Sequence, residues 1–442
     1  MSSSTQSTTT WNNPQRDERI DRNIERHRRA DARIRITDTN GNPVPGARVH
    51  VEQIDSSFHF GANLFMLDGY PTPELNARYE QRFCDLFNAA TVPFYWAGLD
   101  PVRGQRRLAA DSPALFRRPP PDRAVAFCQE HGLKMHGHVL VWDHAEWSIP
   151  AWVPSDFSEM MALWEKRVRE IGERYGSVIK RWDVANEVVP DRSLPISRPM
   201  PAGYTRTAFE WAERYLPADC QLDINELSEV WRGLMPRYVA LIRSLVANGA
   251  RVRGIGLQCH LCGHEITATL AGQRYRPDDM LAVLDAAAAF GVPVHISEVT
   301  VPPPTNDAAG NTRQAQVARN FYRLWFSHPA VTGITWWNVL DGGQAAGENE
   351  KLFVGILDQN LAPKPAYATL RKLIREDWQT HLRARADENG LCTFRGFPGR
   401  YRLTIHDANG HPLGAGTVKL GSNNDESDAE LHLNASQKVD MQ

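Results

Sequence analysis

Two glutamates in this chain each stand where an apolar run gives out. Glu187 closes RWDVANEVV, residues 181 to 189, directly after Asn186, and Glu298 closes GVPVHISEVT, residues 291 to 300. Two carboxylates about 5 to 5.5 Å apart can cleave a glycosidic bond with retention, one as nucleophile and the other as proton donor. Glu298 is the expected nucleophile, which needs hydrogen-bond donors to keep it charged, and His260 is the candidate donor. Glu187 is the expected acid, and Asn186 beside it is placed to bond a sugar 2-hydroxyl. Any single strand-end glutamate is more often a surface or helix-cap carboxylate, but two in matched surroundings favour chemistry.

Such a pair needs a scaffold that brings distant strand ends together. Eight apolar runs qualify as strands: 58–63, 89–96, 134–142, 178–187, 220–226, 254–260, 293–300 and 333–341. Helical periodicity separates them, as in 74–87, 156–175, 230–248, 277–290 and 313–326. Strand and helix alternating eight times predicts an α/β fold, a (β/α)8 TIM barrel over residues 58–380. In a barrel the carboxyl ends of the strands share one pocket. That rule gathers His138 and Trp142, Asn186 and Glu187, Gln258 and His260, Glu298, and Trp336 and Trp337 with Asp341.

The flanks read differently. Residues 1–15 are Ser/Thr-rich and expected to be disordered, and 17–30 read as a charged helix packed loosely through Ile20 and Ile24. Period-two alternation around Ile34 and Ile36, and again around Tyr401, Leu403 and Ile405, predicts one small β domain from residues 31–57 plus 385–436. Both segments carry a D-x-N-G run, Asp38–Gly41 and Asp407–Gly410.

Composition narrows the partners. Charged residues are 23% of the 442, with a net charge of −2, so neither nucleic acid nor an anionic membrane is an expected partner. A neutral substrate is, and thirteen tryptophans supply flat rings that suit sugar faces. Cysteines at 84, 128, 220, 259, 262 and 392 are too dispersed for a disulfide framework, and the C-x-x-C from Cys259 to Cys262 is read as two partly buried thiols near a strand end ahead of a redox pair or half a zinc site. No metal and no cofactor are expected. The polar MSSSTQSTTT start lacks an apolar signal core, so the expectation is a cytoplasmic chain or one whose export signal has been replaced.

At this point the sequence resembles glycoside hydrolase family 10, the xylanase family. WDVANE is similar to the family's acid/base motif and HISEVT to its nucleophile strand. GHVLVW (137–142), GIGLQCH (254–260), ITWWNVLD (334–341) and PKPAY (363–367) are similar to further motifs in the family's order, and the resemblance covers about Phe58 to Trp378. The flanking β segments resemble extensions on plant-type members. The resemblance implies a retaining barrel enzyme acting on β-1,4-xylan or xylo-oligosaccharides, with Glu187 as acid/base and Glu298 as nucleophile. It also implies His138, Trp142, Asn186, Gln258, His260 and Trp337 around the reacting sugar.

Departures point to a second reading. TVPFYW (91–96) replaces a polar family run, so Tyr95 and Trp96 become aromatic substrate-binding candidates. Thr300 stands where the family has an Asp, which leaves His260 without a carboxylate to orient it; Leu227 replaces a Tyr, and the loop GGQAAGENE lacks a second tryptophan. A less polar pocket suits a specialised β-glycosidase on short or aglycone-bearing glycosides, and the family includes a saponin-cleaving branch. An inactive carbohydrate-binding relative is the non-enzyme alternative.

Overall fold

Thr72 caps the helix Pro73–Leu86 by accepting from the Leu75 amide, with proline in the first turn, and Tyr79, Phe83 and Leu86 form its buried edge. Asp156 does the same for Phe157–Tyr175, whose buried residues Met160, Trp164, Val168 and Ile171 recur at helical spacing. These helices are typical of the outer ring of a barrel. The computed structural model describes residues 11–189, 197–344, 353–422 and 427–433.

Strands β1 (Ala30–Thr37) and β2 (Arg48–Ser56) come first. Eight follow: β3 (His59–Asn63), β4 (Ala89–Pro93), β5 (Lys134–His138), β6 (Arg181–Asn186), β7 (Gln221–Glu226), β8 (Gly254–His260), β9 (Val294–Thr300) and β10 (Val331–Trp336). They close into a barrel of order β10-β3-β4-β5-β6-β7-β8-β9. β6 and β9 are buried at every position, because helices cover one face and the barrel interior the other. The expected (β/α)8 fold is the observed one.

Below the strand ends the interior is polar. Arg181 bonds Asp223 at 2.6 Å and contacts His295, whose other nitrogen lies 2.7 Å from Thr335. His136, Asp183 and Asp223 bring donor atoms within 4.8 Å of one another, a cluster the sequence did not reveal. Arg181 already supplies the positive charge there. Helix Phe157–Tyr175 adds a second buried cation, Arg167, whose guanidinium binds the carbonyls of Leu140, Phe94 and Val139. Burial pushes its pKa down to about 9.

The chain divides into two compact units, and Phe60–Trp325 with Ala330–Leu370 forms the barrel unit. The other comprises Pro14–His59, Phe326–Pro329 and the chain from Arg371 on. It holds β1, β2, β11 (His381–Arg385), β12 (Leu391–Gly396), β13 (Gly399–His406), β14 (Pro412–Leu420) and β15 (Ser427–His432). Two sheets result, β12-β1-β15 and β11-β2-β13-β14, around a core that includes Ile34, Ile36, Val51, Tyr401 and Leu403. The helix Pro14–Arg28 belongs to this unit, with Ile20 and Ile24 buried and Arg28 bonded to the carbonyls of Phe326 and His328. It is anchored rather than loosely packed. The tail expected to be disordered lies, for residues 1–10, outside the described residues.

Each D-x-N-G run closes a turn by the same means: Asp38 and Asp407 accept the amides two and four residues on, at 2.8 to 2.9 Å. A third copy that sequence reading missed, Asp387–Gly390, makes the same bonds. Gly390 adopts φ 71°, which a side chain would strain.

Candidate active site

Glu187 follows β6 in the left-handed region, φ 56°, the turn by which its side chain reaches the cavity at the strand ends. Glu298 comes from within β9 and lines the same cavity of about 260 Å³. His138, Trp142, Asn186, Gln258, His260, Trp337 and Tyr95 line it too. Sequence separations of over 200 residues collapse onto one pocket because parallel strands all end on one face.

Two amides tie the glutamates together. Gln258 Nε2 donates to Glu187 Oε1 at 3.0 Å and approaches Asn186 Oδ1 at 3.4 Å. Asn225 Nδ2 donates to Asn186 Oδ1 at 2.8 Å and to Glu298 Oε1 at 3.0 Å, and its own oxygen accepts from Ser297 at 2.6 Å. Because the Asn186 oxygen is taken twice, its amide nitrogen remains to donate elsewhere.

Imidazoles flank Glu298. His260 Nε2 lies 3.2 Å from Oε2, and its Nδ1 lies 2.8 Å from Thr300 Oγ1. The orienting group for His260 is therefore a hydroxyl. His138 Nε2 stands 4.0 Å from Glu298 Oε1, while its Nδ1 bonds Asp183 at 2.8 Å. Burial disfavours the His138 cation, but the Asp183 bond and the charges of Glu298, Asp183 and Glu187 outweigh it and raise its pKa.

The walls are aromatic. Tyr95 meets His138 at 5.3 Å and Trp142 at 5.8 Å between centroids, and Trp337 crosses His138 edge-on at 5.3 Å. His144 and Trp147, which sequence reading passed over, stack at 4.5 Å and 5° and join the lining with Leu227. The D-H-A-E-W run just after Trp142 was the available signal.

Three residues expected at the pocket lie elsewhere. Trp336 is fully buried with Nε1 donating to the Asn338 carbonyl at 2.8 Å, so it packs behind the pocket. Trp96 opens a short helix, Trp96–Leu99, that turns its indole onto Trp164 and Trp152 and into a separate cavity of about 410 Å³. Asp341 is a strut, ion-paired with Lys364 at 3.1 Å.

Other strand-end groups are also committed elsewhere. Glu226 ends β7, but its carboxylate accepts the amides of Leu227, Val188 and Val189, all within 3.0 Å. Cys259 is buried with its thiol held well above its ordinary pKa by desolvation, and Cys262 starts the helix Gly263–Leu270 with Glu265 as reciprocal cap. None of the six cysteines is in a disulfide.

A closed parallel barrel with two carboxylates, amides and indoles converging at its strand ends defines a class of carbohydrate-active barrel proteins. The chain belongs to glycosyl hydrolase family 10, whose profile matches residues 109–373. It is 27% identical over 272 residues to endo-1,4-beta-xylanase B of Thermotoga neapolitana, across 58% of this chain and 74% of that protein. It is 25% identical over 382 residues to an anti-sigma-I factor of Acetivibrio thermocellus, across 86% of this chain but only 45% of that longer protein. Among solved structures, native xylanase 10B from Thermotoga maritima superposes with a TM-score of 0.61 at 22% identity, covering 73% of this chain and 96% of that one. That likeness concerns the fold.

Proposed function

We propose that the protein is a retaining β-glycoside hydrolase that cleaves β-1,4-xylan or xylo-oligosaccharides by double displacement. The observation that carries this is the amide bridge from Glu187 through Gln258, Asn186 and Asn225 to Glu298 inside one cavity. Glu298 attacks the anomeric carbon while the Glu187 carboxyl protonates the departing glycosidic oxygen. The glycosyl ester on Glu298 then yields to a water deprotonated by Glu187, and the configuration is retained. Donors at His260 and Asn225 face Glu298 in the first step and stabilise it as leaving group in the second. The Asn186 amide nitrogen donates to the sugar 2-hydroxyl.

The substrate class follows from the family and from a wall that offers flat rings and amides to a neutral sugar. One observation favours the second reading, a β-glycosidase on short or aglycone-bearing substrates. Phe65, Tyr95, Val139, Trp142 and Trp337 form a continuous buried apolar cluster beside the carboxylates, which suits an apolar aglycone.

The test combines Glu298→Ala with azide and an aryl β-xyloside. Inverted glycosyl azide is expected, and a product of retained configuration would contradict the nucleophile assignment. Turnover of polymeric xylan against aryl xyloside and glucoside in the unaltered enzyme separates the two substrate readings.

A further inference from the structure

The sheet β11-β2-β13-β14 turns one face to its hydrophobic core and the other to solvent. On the outer face a groove of about 510 Å³ is lined by Arg48, His50, Arg383, Arg385 and His406 with no acidic residue. Basic residues stand directly opposite each other across the strands: Arg48 faces both Arg385 and His406, and His50 faces Arg383, with Arg48 and Arg385 a pair of fixed like charges. Opposed cations on adjacent strands destabilise a sheet that has nothing to neutralise them. Among the described residues no ion pair joins a carboxylate to any of these five; Glu52, on the same strand as Arg48 and His50, is paired with Arg402 at 3.5 Å instead. In a chain whose net charge is −2, this is a local concentration of one sign rather than an overall excess.

We propose that this face docks an acidic polysaccharide, a glycan bearing carboxylates at intervals along its chain. The strands lie about 4.8 Å apart, and same-face neighbours along a strand about 7 Å apart, so the guanidinium groups make a lattice rather than a single-ion site. Arginine forks bind carboxylates in two-pronged geometry. The face carries no Tyr, Trp or Phe, so it offers no stacking platform for the bases of single-stranded nucleic acid. The balanced net charge also lacks the long-range field typical of nucleic-acid binders. Choosing a polysaccharide rests on reading the barrel as carbohydrate-active. Binding, however, is measured without catalysis, so the two readings fail separately.

The experiment is equilibrium binding of the full chain to polygalacturonate, with neutral arabinoxylan, duplex DNA and phosphatidylserine vesicles as comparators. Polygalacturonate should bind, and its affinity should fall steeply between about 50 and 200 mM salt, as charge-driven association requires. Arg383→Gln/Arg385→Gln on the edge strand, and Arg48→Gln on its neighbour as a second variant, should each weaken binding at least tenfold. Hydrolysis of an aryl xyloside should be unchanged in both. Absence of polygalacturonate binding, equal binding by the variants, or tighter binding of DNA or vesicles would each overturn the proposal.

Discussion

His138 Nδ1 lies 2.8 Å from Asp183 Oδ2, and the opposite ring nitrogen of His138 faces Glu298 Oε1 at 4.0 Å. A carboxylate inside the barrel thereby orients the imidazole that borders the candidate nucleophile. Burial works against the Asp183 charge, yet the charges and hydrogen bonds of His136 and His138 hold its pKa far below the usual carboxylate range. Each of the two groups favours the charged form of the other in the interior, beside the candidate nucleophile.

Asp183→Asn should therefore cost about 3–5 kcal/mol, the scale of removing one partner from a buried pair. The pH dependence follows from the two shifts. His138, raised, contributes stability that is complete below about pH 6.5 and is lost as pH climbs through its folded value. Asp183, depressed, contributes stability present above about pH 3.9 and lost as pH falls through its folded value. Urea unfolding should show the largest deficit of the variant near pH 5 to 6 and a smaller one at pH 9. An equal deficit at both would mean that the pair is not the cause.

Asn225→Ala tests the bridge between the glutamates. Its amide holds both Glu298 and Asn186, so the variant should lose roughly 10²-fold in kcat, the scale of a ~1 Å misplacement at the reacting centre. KM on a short xyloside should change little. A raised KM with normal kcat would assign Asn225 to substrate binding instead of positioning.

Lys364→Met leaves Asp341 buried and uncompensated, since Lys364 Nζ contacts both carboxylate oxygens at 3.1 and 3.2 Å. Burial already pushes the Asp341 pKa up and the Lys364 pKa down, even with the partner present. An acid whose folded pKa is raised loses stability as pH rises past its unfolded value. The variant should lose about 3–5 kcal/mol near pH 8 and less at pH 4.5, and Asp341→Asn/Lys364→Met should recover part of the loss. Equal losses at both pH values would remove Asp341 ionisation as the explanation.

The barrel was legible in the sequence because its strands, buried on both faces, read as apolar runs and its helices as periodic ones. Pocket residues at strand ends followed from topology alone. Adjacent aromatics were harder: Trp336 beside Trp337 and Trp96 beside Tyr95 looked equivalent, yet only one of each pair lines the pocket. Each pair straddles the end of a regular element, with Trp96 opening a helix and Trp336 closing β10, and the sequence did not say which way the chain entered each turn. Long-range partners such as Asp183 for His138 and Lys364 for Asp341 were invisible for the same reason. Spacing describes one element, whereas these bonds join two.

Thr300 offers the sharpest test of how the candidate nucleophile is held. Its hydroxyl can donate to His260 Nδ1, which leaves Nε2 as the protonated nitrogen facing Glu298 at 3.2 Å. Thr300→Val removes that instruction, and kcat should fall several-fold. Thr300→Asp replaces it with a charge, which favours the imidazolium and should raise the His260 pKa in an NMR titration. A cation against Glu298 weakens the carboxylate as a nucleophile but improves it as a leaving group, so the first displacement should slow and the second accelerate. With an activated aryl xyloside, any pre-steady-state burst should shrink in Thr300→Asp. If His260 titrates as in the unaltered enzyme, Thr300 does not set its state, and the candidate nucleophile is held by His260, Asn225 and His138 without it.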